Sequence, residues 1–267
     1  MGPLSSINNA TTAFSQQASV FDAIDAENPI IAWMRTIARN EVLRHMRPGS
    51  QLLELNAGTG LDAFHFAAHG IQVTATDGAA GMIVTMRSKC NDHPGASVQP
   101  ILLPFNELQQ LPARSYDHVF SNFGGLNCSS HLEAVLRQVH RVLRPGGTTT
   151  LVIMPRFSPW EAGTALHGNW SLASRRWKKA GTMAQVEGVP FPCYYYSVAD
   201  VENGLGSEHE RLSLRSLSFF VPPPHQVARY RRWPRAVRVL HWLEERTAHH
   251  WPFNHSGDHF LITMKKR

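Results

Sequence analysis

At 267 residues, with 43% hydrophobic and 17% charged content, the chain has the balance of a folded globular protein, sized for one sizeable α/β domain or two small ones, and excludes an intrinsically disordered chain. No apolar run approaches the ~20 residues of a membrane-spanning helix, and Met1 to Ala13 is polar, without the apolar centre of a signal peptide. Three scattered cysteines, Cys90, Cys128 and Cys193, form no CxxC pair and no disulfide framework, which favours a reducing, cytoplasmic setting. The formal charge of +6 is a mild basic bias that solvated surface charge explains as well as an anionic partner does.

Residues 1–27, rich in Ser, Asn, Thr, Gln and Ala, read as a loosely structured arm whose second half docks as a short helix through Phe14, Val20, Phe21 and Ile24. Its first residues, Met1-Gly2-Pro3-Leu4-Ser5-Ser6, fit a myristoylation pattern only loosely, with Pro3 and the lack of a nearby basic patch against it. Pro29 suits a first helical turn, and Ile30 to Met46 reads as a helix with Ile30, Ile31, Met34, Ile37, Ala38 and Met46 on its apolar stripe and Arg35, Arg39, Glu41 and Arg44 on the other side. A strand, Gln51 to Leu55, then meets a glycine turn, and Leu61 to His69 follows as a helix with Phe64, Ala67 and Ala68 toward a core.

From there strands and helices alternate. Ile71 to Thr76, Ser97 to Leu103, Tyr116 to Asn122 and Thr148 to Met154 are strands; Ala79 to Lys89 and Ser130 to Leu143 are helices, the latter with Leu132, Val135, Leu136, Val139 and Val142 inward. Residues 104–112 are a loop or short helix, and Arg144 to Gly147 is a turn. Such alternation implies a parallel sheet with right-handed crossovers. After Pro155 the rhythm stops, and residues 156–197 form a long insertion rich in Trp, Tyr, Arg and Lys. Val198 to Leu205 is a helix and Arg211 to Val221 a strand ending at Pro222-Pro223-Pro224, a stiff loop; Val227 to Thr247 is a helix interrupted near Pro234, and Phe260 to Lys265 closes the chain as a strand.

Chemistry concentrates at the glycine turn. Gly58-x-Gly60 removes Cβ atoms that would hold a nucleotide away from the backbone, and Asp77, at the end of the second strand about 20 residues later, can accept from both hydroxyls of a ribose. That pair serves NAD and S-adenosylmethionine alike. Glu54, inside the strand ahead of the turn, separates them: a carboxylate there can reach a cationic amino group, which the methionine end of S-adenosylmethionine has and NAD lacks in that place. Asp62, just after the turn, reads as a first-turn acid favoured by the helix dipole.

Leu53 to Gly60, Ala75-Thr76-Asp77, Met82, Tyr116 to Val119 and Leu143 to Gly147, in that order, resemble the motifs of class I S-adenosylmethionine-dependent methyltransferases of the type 11 small-molecule kind. The resemblance covers roughly Pro48 to Pro155. It implies a Rossmann-like, seven-stranded, mostly parallel α/β sheet with helices on both faces and an antiparallel member in the last pair of strands. Residues 1–47 would then be an N-terminal arm and helix and 48–267 the catalytic domain, with the arm and an aromatic lid, 156–197, covering the C-terminal edge of the sheet and enclosing the acceptor. It also implies that Glu54, Asn56, Ala57, Gly58 and Gly60 surround the methionine end of the cofactor, that Asp77 holds the ribose, that Gly78 and Met82 lie against adenine, that Phe105, Asn106 and Glu107 lie near the adenine amino group, and that Asn122, Phe123 and Gly124 flank the sulfonium. Two positions depart from the pattern: Asn56 stands where the family has its first glycine, and Leu103-Pro104-Phe105-Asn106 replaces the acid often found after the third strand.

The activity so implied is in-line methyl transfer to a small, partly aromatic or apolar metabolite, with nearby Arg and Lys residues leaving room for an anionic one. Should a base be needed, His167, Glu161 and Tyr195 in the insertion are candidates, none singled out by a motif. Two enzyme alternatives stay open: an NAD-dependent oxidoreductase, for which no Tyr-x-x-x-Lys pair follows the fourth strand, and an RNA-directed methyltransferase. Against the second, Ser121-Asn122-Phe123-Gly124 lacks the Asn/Asp-Pro-Pro-Tyr form, and Arg175-Arg176-Trp177-Lys178-Lys179 reads as a solvated helix face. A non-catalytic cofactor-binding protein is a further rival. His249, His250, His255 and His259 lack a regular ligand spacing and read as surface or pocket-rim histidines, so no metal is expected. Neither nucleic acid nor membrane is expected as a partner, and the protein should be a monomer or homodimer.

Overall fold

The computed structural model describes the backbone of residues 3–267 and the side chains of residues 9–267, so Met1 and Gly2 of the myristoylation-like stretch lie outside the described residues. The chain opens with helices α1 (Pro3–Gln17), α2 (Phe21–Ala26) and α3 (Pro29–Arg44). The polar composition of the arm is misleading: α1 is a regular helix because Ala10, Ala13 and Phe14 form a stripe at helical spacing that packs against Phe191. The start of α3 is fixed by Asn28, whose side-chain oxygen accepts from the amides of Ile30 at 3.1 Å and Ile31 at 3.4 Å, with Pro29 at the first helical position.

Strands β1 (Gln51–Leu55), β2 (Gln72–Asp77), β3 (Val98–Leu102), β4 (Tyr116–Ser121) and β5 (Leu143–Ile153) alternate with helices α4 (Leu61–Ala68), α5 (Ala80–Asp92) and α6 (Leu132–Val142). A 3-10 helix, Phe105–Gln110, occupies the loop after β3. Next come the short helices α7 (Pro159–Ala162) and α8 (Trp170–Ala173), the strands β6 (Thr182–Val186) and β7 (Val189–Cys193), and α9 (Val198–Leu205). The chain finishes with β8 (His209–Leu217), α10 (Val227–Arg232), α11 (Pro234–Thr247) and β9 (His259–Lys266).

Seven strands make one sheet in the order β3-β2-β1-β4-β5-β9-β8. The first five run parallel, and β9 is antiparallel to both β5 and β8, as expected for the last pair. Alternate residues divide between two apolar cores. Leu53, Val119, Leu151, Phe260 and Ile262 meet α6 and α9 on one face; Leu52, Phe120, Val152 and Leu261 meet α3, α4 and α5 on the other. Helix α3 therefore shares the sheet's core.

Four expectations need correcting. In α4 it is Ala63 and Phe66 that are buried, while Phe64 packs only partly and Ala68 is exposed. In α3, Arg35 and Glu41 are buried, the first drawn in by Asp25 and Asp62, the second by hydroxyls of β8 and β9. Glu41 accepts from Thr263 at 3.1 Å and from Ser213, and sits near His45 at 3.3 Å. Burial raises its carboxyl, but these hydrogen bonds outweigh burial and bring it down to about 2. The expected turn at Arg144 to Gly147 is a bulge inside a continuous β5, where the register jumps between Tyr116↔Leu143 and His118↔Thr148. Finally, Arg176 is buried rather than solvated.

That last residue explains how the insertion is held. Glu161 accepts two bonds from Arg175, both 2.7 Å, and two from Arg176, at 2.7 and 2.9 Å. Arg176 also reaches Asp258 just ahead of β9 at 2.9 Å. Beyond this cluster, β6 and β7 form a two-stranded hairpin whose turn, Glu187 and Gly188, has positive φ at both positions.

Candidate functional site

The turn between β1 and α4 takes its shape from positive φ at Asn56 (46°), Gly58 (58°) and Gly60 (85°). Glycine is required most strictly at Gly60, where a Cβ would lie 2.8 Å from Cγ of Met86. Asn56 carries the left-handed conformation that asparagine tolerates better than most residues. Its carboxamide is pinned to the end of β4, accepting from Ser121 Oγ at 2.8 Å and donating to the Asn122 carbonyl at 3.1 Å. Gly125 makes the space, since a Cβ there would fall 2.3 Å from that amide.

Asp77 ties the turn to β2. Its two carboxylate oxygens accept from Gly58 N and Ala79 N, each at 2.8 Å. Burial raises its carboxyl above the usual range, opposed by these backbone bonds. Glu54 is 2% exposed, and its Oε2 is buried with no hydrogen-bond partner. Burial first, and the charge of Asp62 second, push the Glu54 carboxyl well above its ordinary value; Arg35 and Arg39 pull the other way.

Asp62 is a buried hub and more than a first-turn acid. It receives Arg35 Nη1 at 2.5 Å, Arg39 Nε at 2.6 Å and Asn122 Nδ2 at 2.9 Å. Burial opposes its ionisation, but the two guanidinium groups outweigh burial and hold it below its ordinary value. Arg35 also pairs with Asp25 of α2 and stacks over Phe123, 4.7 Å from the ring centre. Burial works against its charge, and Asp62 and Asp25 more than restore it.

These groups line one cavity at the C-terminal ends of β1, β2 and β4. The expected residues Glu54, Asn56, Ala57, Gly58, Asp77, Gly78, Met82, Phe105, Asn122 and Phe123 are all on its wall. Gly60, Asn106, Glu107 and Gly124 are not: Gly60 shapes the turn as the residue before α4, Asn106 and Glu107 lie in the 3-10 helix, Asn106 with its Oδ1 buried and unpartnered, and Gly124 precedes the 3-10 turn Gly125–Cys128. The wall also contains Arg35 and Cys128, to which the sequence assigned no part there, and Asp62, read as a first-turn acid; from the N-terminal arm, expected to cover this edge of the sheet, come Ala10, Thr11, Phe14 and Phe21. Helix α1 is held over this place by Gly81 N, which donates to Ser15 Oγ at 3.0 Å, and by the Phe14–Phe191 ring contact at 5.7 Å. Of these, Phe14 and Phe21 were read from the sequence as residues that dock the arm.

None of the three candidate bases lines the cavity. His167 is exposed at the end of a 3-10 helix. Glu161 is locked by Arg175 and Arg176, whose bonds overcome burial and keep it below the usual carboxylate range. Tyr195 is buried beneath Arg176, its hydroxyl 3.2 Å from Thr182 Oγ1, and burial raises it. Of the histidines, His250 and His255 are exposed, whereas His259 is buried beside Asp258, contrary to a surface or rim position. Among the described residues no group of His, Cys, Asp and Glu has the arrangement of a metal site.

A family model described as a methyltransferase domain matches residues 52–147. The match runs from β1 to the bulge within β5. Demethylmenaquinone methyltransferase of Beutenbergia cavernae is 33% identical over 124 residues, covering 46% of this chain and 48% of that protein. The chain spans about half the length of the curated relatives it matches. The methyltransferase fold extends beyond the matched segment. The CcbJ methyltransferase from Streptomyces caelestis superposes with a TM-score of 0.62 at 20% identity, covering 96% of this chain and 98% of that one. The Burkholderia thailandensis 1,6-didemethyltoxoflavin-N1-methyltransferase, solved with 1,6-didemethyltoxoflavin and S-adenosylhomocysteine, gives 0.61 at 14% identity, covering 100% and 91%. At these identities the likeness is one of fold alone.

Proposed function

We propose that the chain is an S-adenosylmethionine-dependent methyltransferase acting on a small-molecule acceptor. The carrying observation is the unpartnered Oε2 of Glu54, buried in the wall of the same cavity as Asp77 and the glycine turn. A buried acceptor atom without a donor calls for one from a ligand, and the cationic amino group of the cofactor is such a donor. NAD offers none in that place.

In this reading Glu54 holds the amino group and Arg35, the cavity's guanidinium, faces the carboxylate. Asp77 takes the ribose hydroxyls, and Gly78, Met82 and Phe105 bound the adenine. Gly78 lets Thr11 and Pro104 pack close to the backbone there, since a Cβ would lie 2.8 Å from the first and 3.1 Å from the second. When bound, the cofactor supplies an electrophilic methyl group on a sulfonium. The protein's part is to hold the acceptor in line and to exclude water, to which Phe14, Phe21 and Phe123 contribute apolar wall. No general base is assigned, and the insertion 156–197 serves as the cover of the acceptor side.

The relatives' names support a small organic acceptor such as a quinone or a heteroaromatic ring, and the three free cysteines support a cytoplasmic location. No helix of the described residues is long and apolar enough to cross a membrane. A monomer or homodimer fits this reading. Calorimetry tests the cofactor: S-adenosylhomocysteine should bind and NAD should not, and the reverse result would sink the proposal. Incubating cell extract with isotopically labelled cofactor and identifying the labelled product would then name the acceptor.

A further inference from the structure

Helices α10 and α11 carry a surface unlike the rest of the molecule. Arg229, Arg231, Arg232, Arg235, Arg238 and Arg246 are all exposed there. Elsewhere arginines meet carboxylates: Arg39 with Asp62, Arg137 with Glu133, Arg144 with Asp117, Arg211 with Glu202. Among the described residues, none of the six on α10 and α11 forms such a pair. The two acids of α11 do not neutralise them, for Glu244 is buried under the turn after β8 and Glu245 bonds Arg215.

The cationic face is also apolar. Arg235, Arg238, Val239, Trp242 and Arg246 recur at the three- and four-residue spacings that put them on one side of α11, opposite the buried Val237 and Glu244. Val239 is 56% exposed, Trp242 54% and, at the junction of the two helices, Trp233 59%. Arginine heads interleaved with tryptophan on an outward helix face match the boundary between lipid headgroups and acyl chains.

We propose that this face docks the protein on an anionic phospholipid surface. The contact is interfacial, without a membrane-spanning segment, and so differs from the expectation of no membrane partner only in adding a surface contact. A nucleic acid fits less well: the Arg246 guanidinium already stands over the Trp242 ring, 4.6 Å from its centre, where a base would stack, and Val239 has nothing to offer a phosphate backbone. The placement fits as well. The segment carrying α10 and α11 leaves β8 at Leu217 and returns at His259, two residues that are register partners, next to the pair Ile153↔Phe260 at the C-terminal end of β5. It is thus rooted at the sheet edge where the cavity lies. If the methyl-transfer reading holds, docking brings that edge to an acceptor dissolved in the bilayer; the docking itself does not depend on that reading.

The full chain is to be sedimented with vesicles of phosphatidylcholine alone and of phosphatidylcholine with phosphatidylglycerol in equal parts. Binding is expected to the mixed vesicles only, weakened by salt. Arg235→Ala and Arg238→Ala should each lower the partition coefficient about fivefold. Trp242→Ala should lower it with the charge unchanged, and circular dichroism should report intact folds, since all three side chains are exposed. The proposal is overturned if the protein ignores both vesicles, or if binding survives these substitutions. It is equally overturned if a structured RNA is bound in place of the mixed vesicles, or if the face proves to join two copies, seen as a dimer that Trp242→Ala dissociates in analytical ultracentrifugation.

Discussion

Two buried glutamates receive opposite treatment. Glu244, reaching from α11 to the turn after β8, is fully enclosed and accepts from three successive backbone amides, Phe219 at 3.1 Å, Phe220 at 2.7 Å and Val221 at 3.2 Å, as well as from Ser216 Oγ at 3.3 Å. Glu54, in the cavity wall, is nearly as enclosed and leaves one oxygen with no donor. The first carboxylate closes the turn after β8 by taking up three of its amides. The second has been left incomplete by a fold able to satisfy such groups elsewhere. Glu244, with full partners, serves structure; Glu54, with a missing partner on the wall of a cavity, marks a site.

The largest test of this contrast is Glu244→Ala. It leaves several buried N–H groups unpaired, at about 1–3 kcal/mol each before relaxation, so denaturant unfolding should show a loss of about 3 kcal/mol or more. A variant of undiminished stability would break the comparison. Next, Glu54→Gln should weaken S-adenosylhomocysteine by about 10- to 100-fold, as expected for losing a charged hydrogen bond, while ligand-free stability holds or rises. A stability loss matching that of Glu244→Ala would make Glu54 another structural acid.

A pH measurement sharpens the point. The Glu54 carboxyl is raised above its unfolded value by burial and by Asp62. Its stabilising contribution to the ligand-free fold is therefore present at acid pH and is lost as pH rises through the folded value. An ammonium ligand favours the ionised form, so binding should release a proton and tighten as pH rises through the same range. Calorimetry in two buffers of different ionisation enthalpy should detect that proton in the native protein and miss it in Glu54→Gln. The smallest expected effect is at the apolar wall. Phe21→Ala, which removes a ring 3.5 Å from where a Cβ on Gly58 would be, should cost only about tenfold in affinity, in line with the ~1.5 kcal/mol lower end for burying a large apolar side chain.

The same contrast explains what could be read from the sequence. The alternation of β1 to β5 with their helices was legible because each element buries a face at its own period, and the glycine turn because positive φ restricts residue choice. Asn56 was legible as an oddity, and its φ of 46° accounts for it. Arg35 was not. Its spacing put it on the polar side of α3, and only the approach of Asp62 and Asp25 from other elements makes burying it tolerable. Glu161 failed for the same reason in reverse: an acid in an aromatic insertion looked available until Arg175 and Arg176 folded onto it. Ionic partners far apart in sequence leave no periodic trace, and the hairpin of β6 and β7 within the insertion was not foreseen.

Helix α1 crosses the start of α5 over Gly81, where a Cβ would lie 2.4 Å from the Ser15 carbonyl oxygen. Because α1 is also part of the cavity wall, this bare crossing links the site to the first residues of the chain. A single methyl group at that crossing, as in Gly81→Ala, should act as a wedge, read as a faster release of S-adenosylhomocysteine in stopped-flow measurements. Such a wedge would shorten the stay without touching any polar group that recognises the ligand.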